Sequence, residues 1–133
     1  MKKPLEIFLV DDDVDDQEIF MLMVQEIHPD TQCYFANDGV AAIEKLSSDP
    51  TFNPDFIFLD MNMPRMNGIE CLRKIMADQN RKETNIIIYT TTSDPRLRDN
   101  CLALGALHVI NKASSLEGLK NQLVQVFKQK LIS

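Results

Sequence analysis

Short apolar runs alternate with stretches of helical period five times along this chain, and few folds accommodate that alternation. Residues 6–10 read as a first strand and about 13–27 as a helix. In that helix Ile19, Phe20, Met23, Val24 and Ile27 recur at the three-and-four spacing of a buried face. His28-Pro29-Asp30 closes it, because the residue before a proline is pushed out of helical geometry. A strand near 32–35 and a helix from about 38 to 48 follow, then a loop marked by Pro50 and Pro54. Residues 55–60 (DFIFLD) and 85–90 (NIIIYT) are too apolar to be half exposed, which makes them central strands of a parallel sheet covered on both faces. Helices at about 67–79 and 94–104 follow these strands, the second opening with the favourable cap and first-turn pair Asp94-Pro95. A fifth strand spans 107–111. In the last helix Leu116, Leu119, Leu123, Val126 or Phe127, and Lys130 or Leu131 trace one stripe. The pattern predicts a single doubly wound α/β domain with right-handed crossovers over all 133 residues.

Charge and composition remove several function classes. A net charge of −6 argues against a general nucleic-acid binder, since phosphate contacts demand clustered Lys and Arg. Cys33, Cys71 and Cys101 have neither CxxC nor Cys/His spacing, so they read as reduced thiols packed like small hydrophobes in a cytoplasmic protein. No stretch approaches the roughly 18 apolar residues of a membrane span, and MKKPLEIFLV runs into aspartates without the cleavage site of a signal peptide.

In an open α/β sheet, ligands bind beyond the carboxyl ends of the strands. Asp11 and Asp12 end the first strand, Asp60 the third, Thr90 the fourth, and Lys112 follows the fifth. The aspartate-rich stretch LVDDDVDDQE is not a calcium loop, because Asp16 and Leu22 stand where that loop needs Gly and a bidentate Glu. Three carboxylates from two neighbouring strands instead form a hard-oxygen pocket suited to Mg²⁺, which would offset their mutual repulsion. A carboxylate can attack phosphorus to give an aspartyl phosphate. Lys112 and the Thr90 hydroxyl are then placed to meet phosphoryl oxygens. Asp13 reads as the cap of the first helix, with Asp15 and Asp16 as first-turn residues that favour the helix dipole.

The acidic pair in LVDDD, the segment FLDMNMPRMNG, the Thr-rich end of IIIYTTTSD and the LGA…INK ending together resemble the receiver domain of two-component response regulators, the CheY-like fold. The resemblance covers nearly the whole chain, with 30 residues from Asp60 to Thr90 and 22 from Thr90 to Lys112. It implies a flavodoxin-like sheet of order 2-1-3-4-5. It also implies Asp60 as phosphoacceptor, Mg²⁺ held by Asp11, Asp12, Asp60 and the main-chain carbonyl of Asn62, Thr90 as switch hydroxyl, and Lys112 as the phosphate-contacting lysine. Thr91, Thr92 and Ser93 read as turn and capping residues, although Thr92 lies where the family tunes phosphoryl lifetime.

The implied partners are a sensor histidine kinase or a histidine phosphotransfer protein upstream and an unspecified protein target downstream, with neither nucleic acid nor membrane. The domain would be a monomer or a phosphorylation-linked dimer. It is expected to be a stand-alone receiver without an output domain, and not an enzyme beyond catalysing its own phosphorylation and dephosphorylation.

Two positions depart from the family pattern. Ala113 follows Lys112 where most receivers have proline, and a cis bond before a non-proline residue costs roughly 2.5–4 kcal/mol. Either the domain tolerates that strain, the expectation here because the lysine must be placed, or the bond is trans. Val109 stands where many receivers carry the aromatic half of the switch, and neighbouring His108 should face the other side of the sheet. These departures are the support for a rival reading, a phosphorylation-independent adaptor. A second rival, an aspartate-nucleophile phosphatase of the haloacid dehalogenase type, needs an acid two residues after the nucleophile, where Asn62 stands. Met61, Met63 and Met66 read equally as a partner surface or as loop packing. His28 and His108 are isolated.

Overall fold

The computed structural model describes residues 4–63, 65–81, 84–91, 94–112 and 114–132. Five strands alternate with five helices: β1 (Glu6–Val10), α1 (Val14–Ile27), β2 (Gln32–Ala36), α2 (Gly39–Ser48), β3 (Phe56–Leu59), α3 (Gly68–Ala77), β4 (Asn85–Thr90), α4 (Pro95–Ala103), β5 (His108–Asn111) and α5 (Leu116–Ile132). All strand pairs are parallel, in the order β2-β1-β3-β4-β5. The expected α/β architecture and strand order are therefore present. Among the described residues, no helix is long and apolar enough to cross a membrane.

Strand residues are apolar at successive positions because each face of the sheet meets its own helical layer. Phe8, Val10, Ile57, Leu59, Ile86 and Ile88 pack with Ala42, Leu46, Leu72 and Ile75 under α2 and α3, where Cys71 and Cys101 are also buried. Their neighbours Ile7, Leu9, Phe56, Phe58, Ile87 and Tyr89 pack on the other side with Phe20, Val24, Leu119, Leu123 and Phe127 from α1 and α5. Burial of the thiols, which raises Cys71 to about 12, fits their reading as small hydrophobes.

The element boundaries follow local chemistry. Asp13 caps α1, accepting hydrogen bonds from the backbone N–H of Asp15 and Asp16. Asp38, Asn67 and Asp94 cap α2, α3 and α4 in the same way. The third helix is shorter than its sequence pattern, since after Ala77 the chain tightens into a 3₁₀ turn, Gln79–Arg81. Arg81 is fully buried there, donating to the carbonyls of Leu46, Asp49 and Phe52 and to Asn53 Oδ1. It supplies donors to the end of α2 from a distant part of the chain.

Two expected buried faces are corrected. Ile19 in α1 and Leu116 in α5 are exposed, and the buried residues of α1 are Gln17, Phe20 and Val24. Gln17 takes the inward position because its amide has polar partners at the end of β1.

Candidate functional site

One row across the sheet, Ala36–Val10–Leu59–Ile88–Val109, is the last in which all five strands present apolar side chains. The next residues on β1 and β3 are Asp11 and Asp60. Their backbone N–H groups extend the ladder, bonding the carbonyls of Ala36 at 3.1 Å and Val10 at 3.0 Å. Two carboxylates thus stand side by side where strands stop and helices have yet to begin. Asp11 is fully buried and Asp60 nearly so, while Asp12 is exposed. Carboxylate oxygens of the three lie within 4.8 Å of one another.

Lys112 is held over this pair. Its backbone N–H bonds the Thr90 carbonyl at 2.7 Å, which fixes the start of the segment leaving β5 beside the end of β4. Its ammonium then contacts Asp11 Oδ2 at 2.9 Å, Asp16 Oδ2 at 3.1 Å and Asp60 Oδ2 at 3.3 Å. The Tyr89 ring centroid lies 5.2 Å from Nζ. Burial works to lower the pKa of this lysine, but the hydrogen bond and charge of Asp11, with Asp60 and Asp16, outweigh it and hold the ammonium above its ordinary range. Burial pushes the Asp11 carboxyl up, against the Asp13 N–H at 2.9 Å and the lysine, which draw it down. The Tyr89 phenol is raised by burial to about 12, so it stays neutral beside the charges.

The loop after Asp60 is shaped by a close approach. A side chain on Gly68 would come within 2.7 Å of the Asp60 carbonyl and also meet Met61, so the turn returning to α3 requires glycine. Asn62 is exposed in this loop, its N–H bonding Asp60 Oδ1 at 3.2 Å. Arg65 adopts a φ of +65° and ties the loop to α2, with Nη2 2.7 Å and Nε 3.1 Å from Asp38 Oδ2. The Ala41 N–H and Arg65 together hold the Asp38 carboxyl below the usual carboxylate range. Beneath the first loop, the Gln17 amide donates to the Asp11 carbonyl at 2.7 Å and to Asn37 Oδ1 at 2.9 Å. The three loops that carry or flank the carboxylates are therefore joined by side chains.

Every residue expected at the rim is brought to it: Asp11, Asp12, Asp60 and Lys112 by direct geometry, Thr90 as the buried end of β4, and Asn62 in the loop after β3. Asp16 is a first-turn residue as expected and is in addition a partner of Lys112. No local pattern signals that contact, because Lys112 lies 96 residues further along the chain. Gln17, Tyr89, Arg65 and Asp38 were not singled out. The methionines resolve toward packing, with Met61 buried 4.0 Å from Cys101 Sγ and Met63 and Met66 half-buried against the core. Val109 pairs with Ile88 on the Thr90 side of the sheet, and His108 pairs with Ile87, as its strand position implied. The Lys112–Ala113 peptide and Thr92 lie outside the described residues.

A profile of the response regulator receiver domain family matches residues 7–124. A protein-glutamate methylesterase/protein-glutamine glutaminase of Leptospira interrogans is 36% identical over 122 residues, covering 90% of this chain and 33% of that protein. The chain thus spans about a third of the length of such relatives. The phosphorylated cyanobacterial phytochrome response regulator RcpA superposes with a TM-score of 0.88 over 97% of this chain and 95% of its own, at 22% identity. The structure of the CheX–CheY–BeF3–Mg complex from Borrelia burgdorferi matches with a TM-score of 0.80 over 93% of this chain and 90% of the other, at 27% identity. With the profile match spanning nearly the whole chain and the acidic rim in place, this chain belongs to the receiver domain family of two-component response regulators.

Proposed function

We propose that the chain accepts a phosphoryl group on Asp60 from a phosphohistidine donor, in a Mg²⁺-dependent reaction, and that the modified domain switches a protein-binding face. The observation that carries this reading is the convergence of Asp11, Asp12 and Asp60 within 4.8 Å, with Lys112 Nζ 3.3 Å from Asp60. The donor set fits a hard divalent cation, which favours carboxylate and carbonyl oxygens and keeps several waters. Asp11, Asp12, Asp60 and the Asn62 main-chain carbonyl would hold it. When bound, the metal supplies charge neutralisation for the transferring group. Among structural neighbours, Rcp1 is described with Mn²⁺ and the receiver domain of the Pseudomonas aeruginosa kinase PA1611 with magnesium in its active-site cleft.

In the transfer, an Asp60 carboxylate oxygen forms a bond to phosphorus as the phosphorus–nitrogen bond to the donor imidazole breaks. The electron pair leaves with that nitrogen, so atoms and charge balance. Asp60 is a weak nucleophile, and positioning does most of the work. The β1 and β3 ends fix the carboxylate, Lys112 meets the charge that develops on the phosphoryl oxygens, and the Thr90 hydroxyl donates to another of them.

The donor must reach the rim past the start of α1 and the loop into α5. There Val14 is 62% exposed and Leu116 55%, with Ile19 and Leu22 also exposed on α1. Those side chains give a donor protein apolar area to bury beside the acceptor, which supports a histidine kinase or phosphotransfer protein as partner. The reading extends to a cytoplasmic receiver in which this domain catalyses its own phosphorylation and dephosphorylation, as a monomer or a phosphorylation-linked dimer. The methylesterase and glutaminase names belong to proteins of which this chain spans only a third.

Incubation with acetyl phosphate and Mg²⁺ should add the mass of one phosphoryl group. The adduct should be absent with a chelator and absent in Asp60→Asn. An adduct that forms without divalent cation, or persists in Asp60→Asn, would overturn the reading.

A further inference from the structure

Asp16 has a role that a helix-capping charge does not explain. Its Oδ2 lies 3.1 Å from Lys112 Nζ, and its side chain keeps 37% exposure while Lys112 keeps 13%. Lys112 therefore has a third carboxylate beyond the two it shares with the acceptor site, and this one stands at the outer edge of the pocket. We infer that Asp16 is a positioning residue, an outer anchor that holds Lys112 and sets how strongly its ammonium competes for Asp11 and Asp60. The inference rests on the reading above and deepens it.

Lys112 and a divalent cation compete for the same oxygens. A divalent cation among Asp11, Asp12 and Asp60 needs carboxylate oxygens that the Lys112 ammonium also contacts at 2.9 and 3.3 Å. Two cations repel at this range, and more strongly because the pocket is buried. Asp16 gives the ammonium a place to stay that is not a ligand to the metal. It thereby lowers the penalty of metal binding and leaves Lys112 within reach of the site. An anion on Asp60 meets the opposite effect, because Asp16 retains part of the ammonium's hydrogen bonding and contributes a like charge nearby. One residue thus favours the cation and opposes the phosphoryl group. Tyr89 backs the arrangement, its ring lying beside Nζ, and Asp16, Lys112 and Tyr89 are among the residues that line a cavity of about 190 Å³.

Asp15 provides the comparison. It carries the same charge one residue earlier in the helix and is exposed, and none of the described ion pairs to Lys112 involves it.

Calorimetric titrations with Mg²⁺ alone, and with beryllofluoride at saturating Mg²⁺, test the inference on the intact chain. Asp16→Asn should weaken Mg²⁺ binding and tighten beryllofluoride binding, each by about three- to tenfold, the size of one partly exposed charge-assisted hydrogen bond. Asp16→Glu should restore both constants toward wild type, and Asp15→Asn should leave both within about twofold, on the order of an exposed charge acting without a direct contact. In a Lys112→Met background the Asp16→Asn shifts should shrink to the about twofold effect of charge alone, because the anchor has nothing left to hold. Shifts that persist undiminished there, shifts matched by Asp15→Asn, or no shift in Asp16→Asn would overturn the inference. A wild type that binds neither Mg²⁺ nor beryllofluoride would instead overturn the proposed function.

Discussion

Among the described residues, Lys112 is the cation in contact with the buried pair Asp11 and Asp60, and the balance of charge at the site depends on it. Removing one partner of a buried ionic group leaves the others uncompensated. Lys112→Met should therefore cost about 2–4 kcal/mol in urea unfolding with chelator present. Part of that loss should return with Mg²⁺, which wild type would show more weakly. An unchanged midpoint in chelator would mean that water, not the lysine, balances the carboxylates. Asp38 tests charge in a separate pair at the rim, with the exposed Arg65. Its carboxyl is held below the usual carboxylate range by the Ala41 N–H and Arg65. A depressed acid contributes stability above its unfolded pKa and loses it as pH falls through the folded value. Asp38→Asn keeps the cap but weakens the ion pair, so it should cost about 0.5–1 kcal/mol near neutrality. The difference should close in acid, below the ordinary carboxylate range, and equal losses at both pH values would refute the assignment. At this scale the sequence showed which residue types meet at the rim, because strand ends are legible from apolar runs. It did not show the partners of Lys112, because which of several carboxylates a long flexible side chain reaches is decided by tertiary distance.

Elements deliver these groups through two devices that differ in how far they could be read. The Gly68 approach to Asp60 lies within one motif, FLDMNMPRMNG, where a glycine opens the helix directly behind a loop that contains proline. The Arg81 contacts join a 3₁₀ turn to the end of α2, more than thirty residues earlier, and no local pattern signals them. Arg81→Met should cost about 2–4 kcal/mol, since several buried carbonyls lose their donor together. It should leave Mg²⁺ affinity unchanged, because Arg81 sits at the amino ends of the strands, opposite the acidic rim. A large change in Mg²⁺ affinity would show that the two ends of the sheet are coupled. The inward turn of Gln17 and outward turn of Ile19 escaped periodicity for a similar reason: the polar end of β1 offers hydrogen bonds that reward an amide at a core position.

For the molecule as a whole, the alternation of strand and helix and the near-continuous apolar strands were enough to place a two-sided parallel sheet and the rim at which its site lies. How a signal leaves that rim was less legible. Val109 offers no ring on the Thr90 side of the sheet, while Tyr89 places one on the α1 and α5 side, next to Lys112. Binding at the rim should still register globally, because a ligand selective for the folded state raises stability by mass action, about 2.7 kcal/mol at a hundred times its dissociation constant. Which aspartate is the acceptor can be read more directly than from stability. The direct measurement is reduction of the acetyl phosphate-treated protein with borohydride, which converts an aspartyl phosphate to homoserine, followed by peptide sequencing in a mass spectrometer. Homoserine is expected at position 60 and at no other aspartate. Homoserine at Asp11 or Asp12, with Asp60 intact, would contradict it.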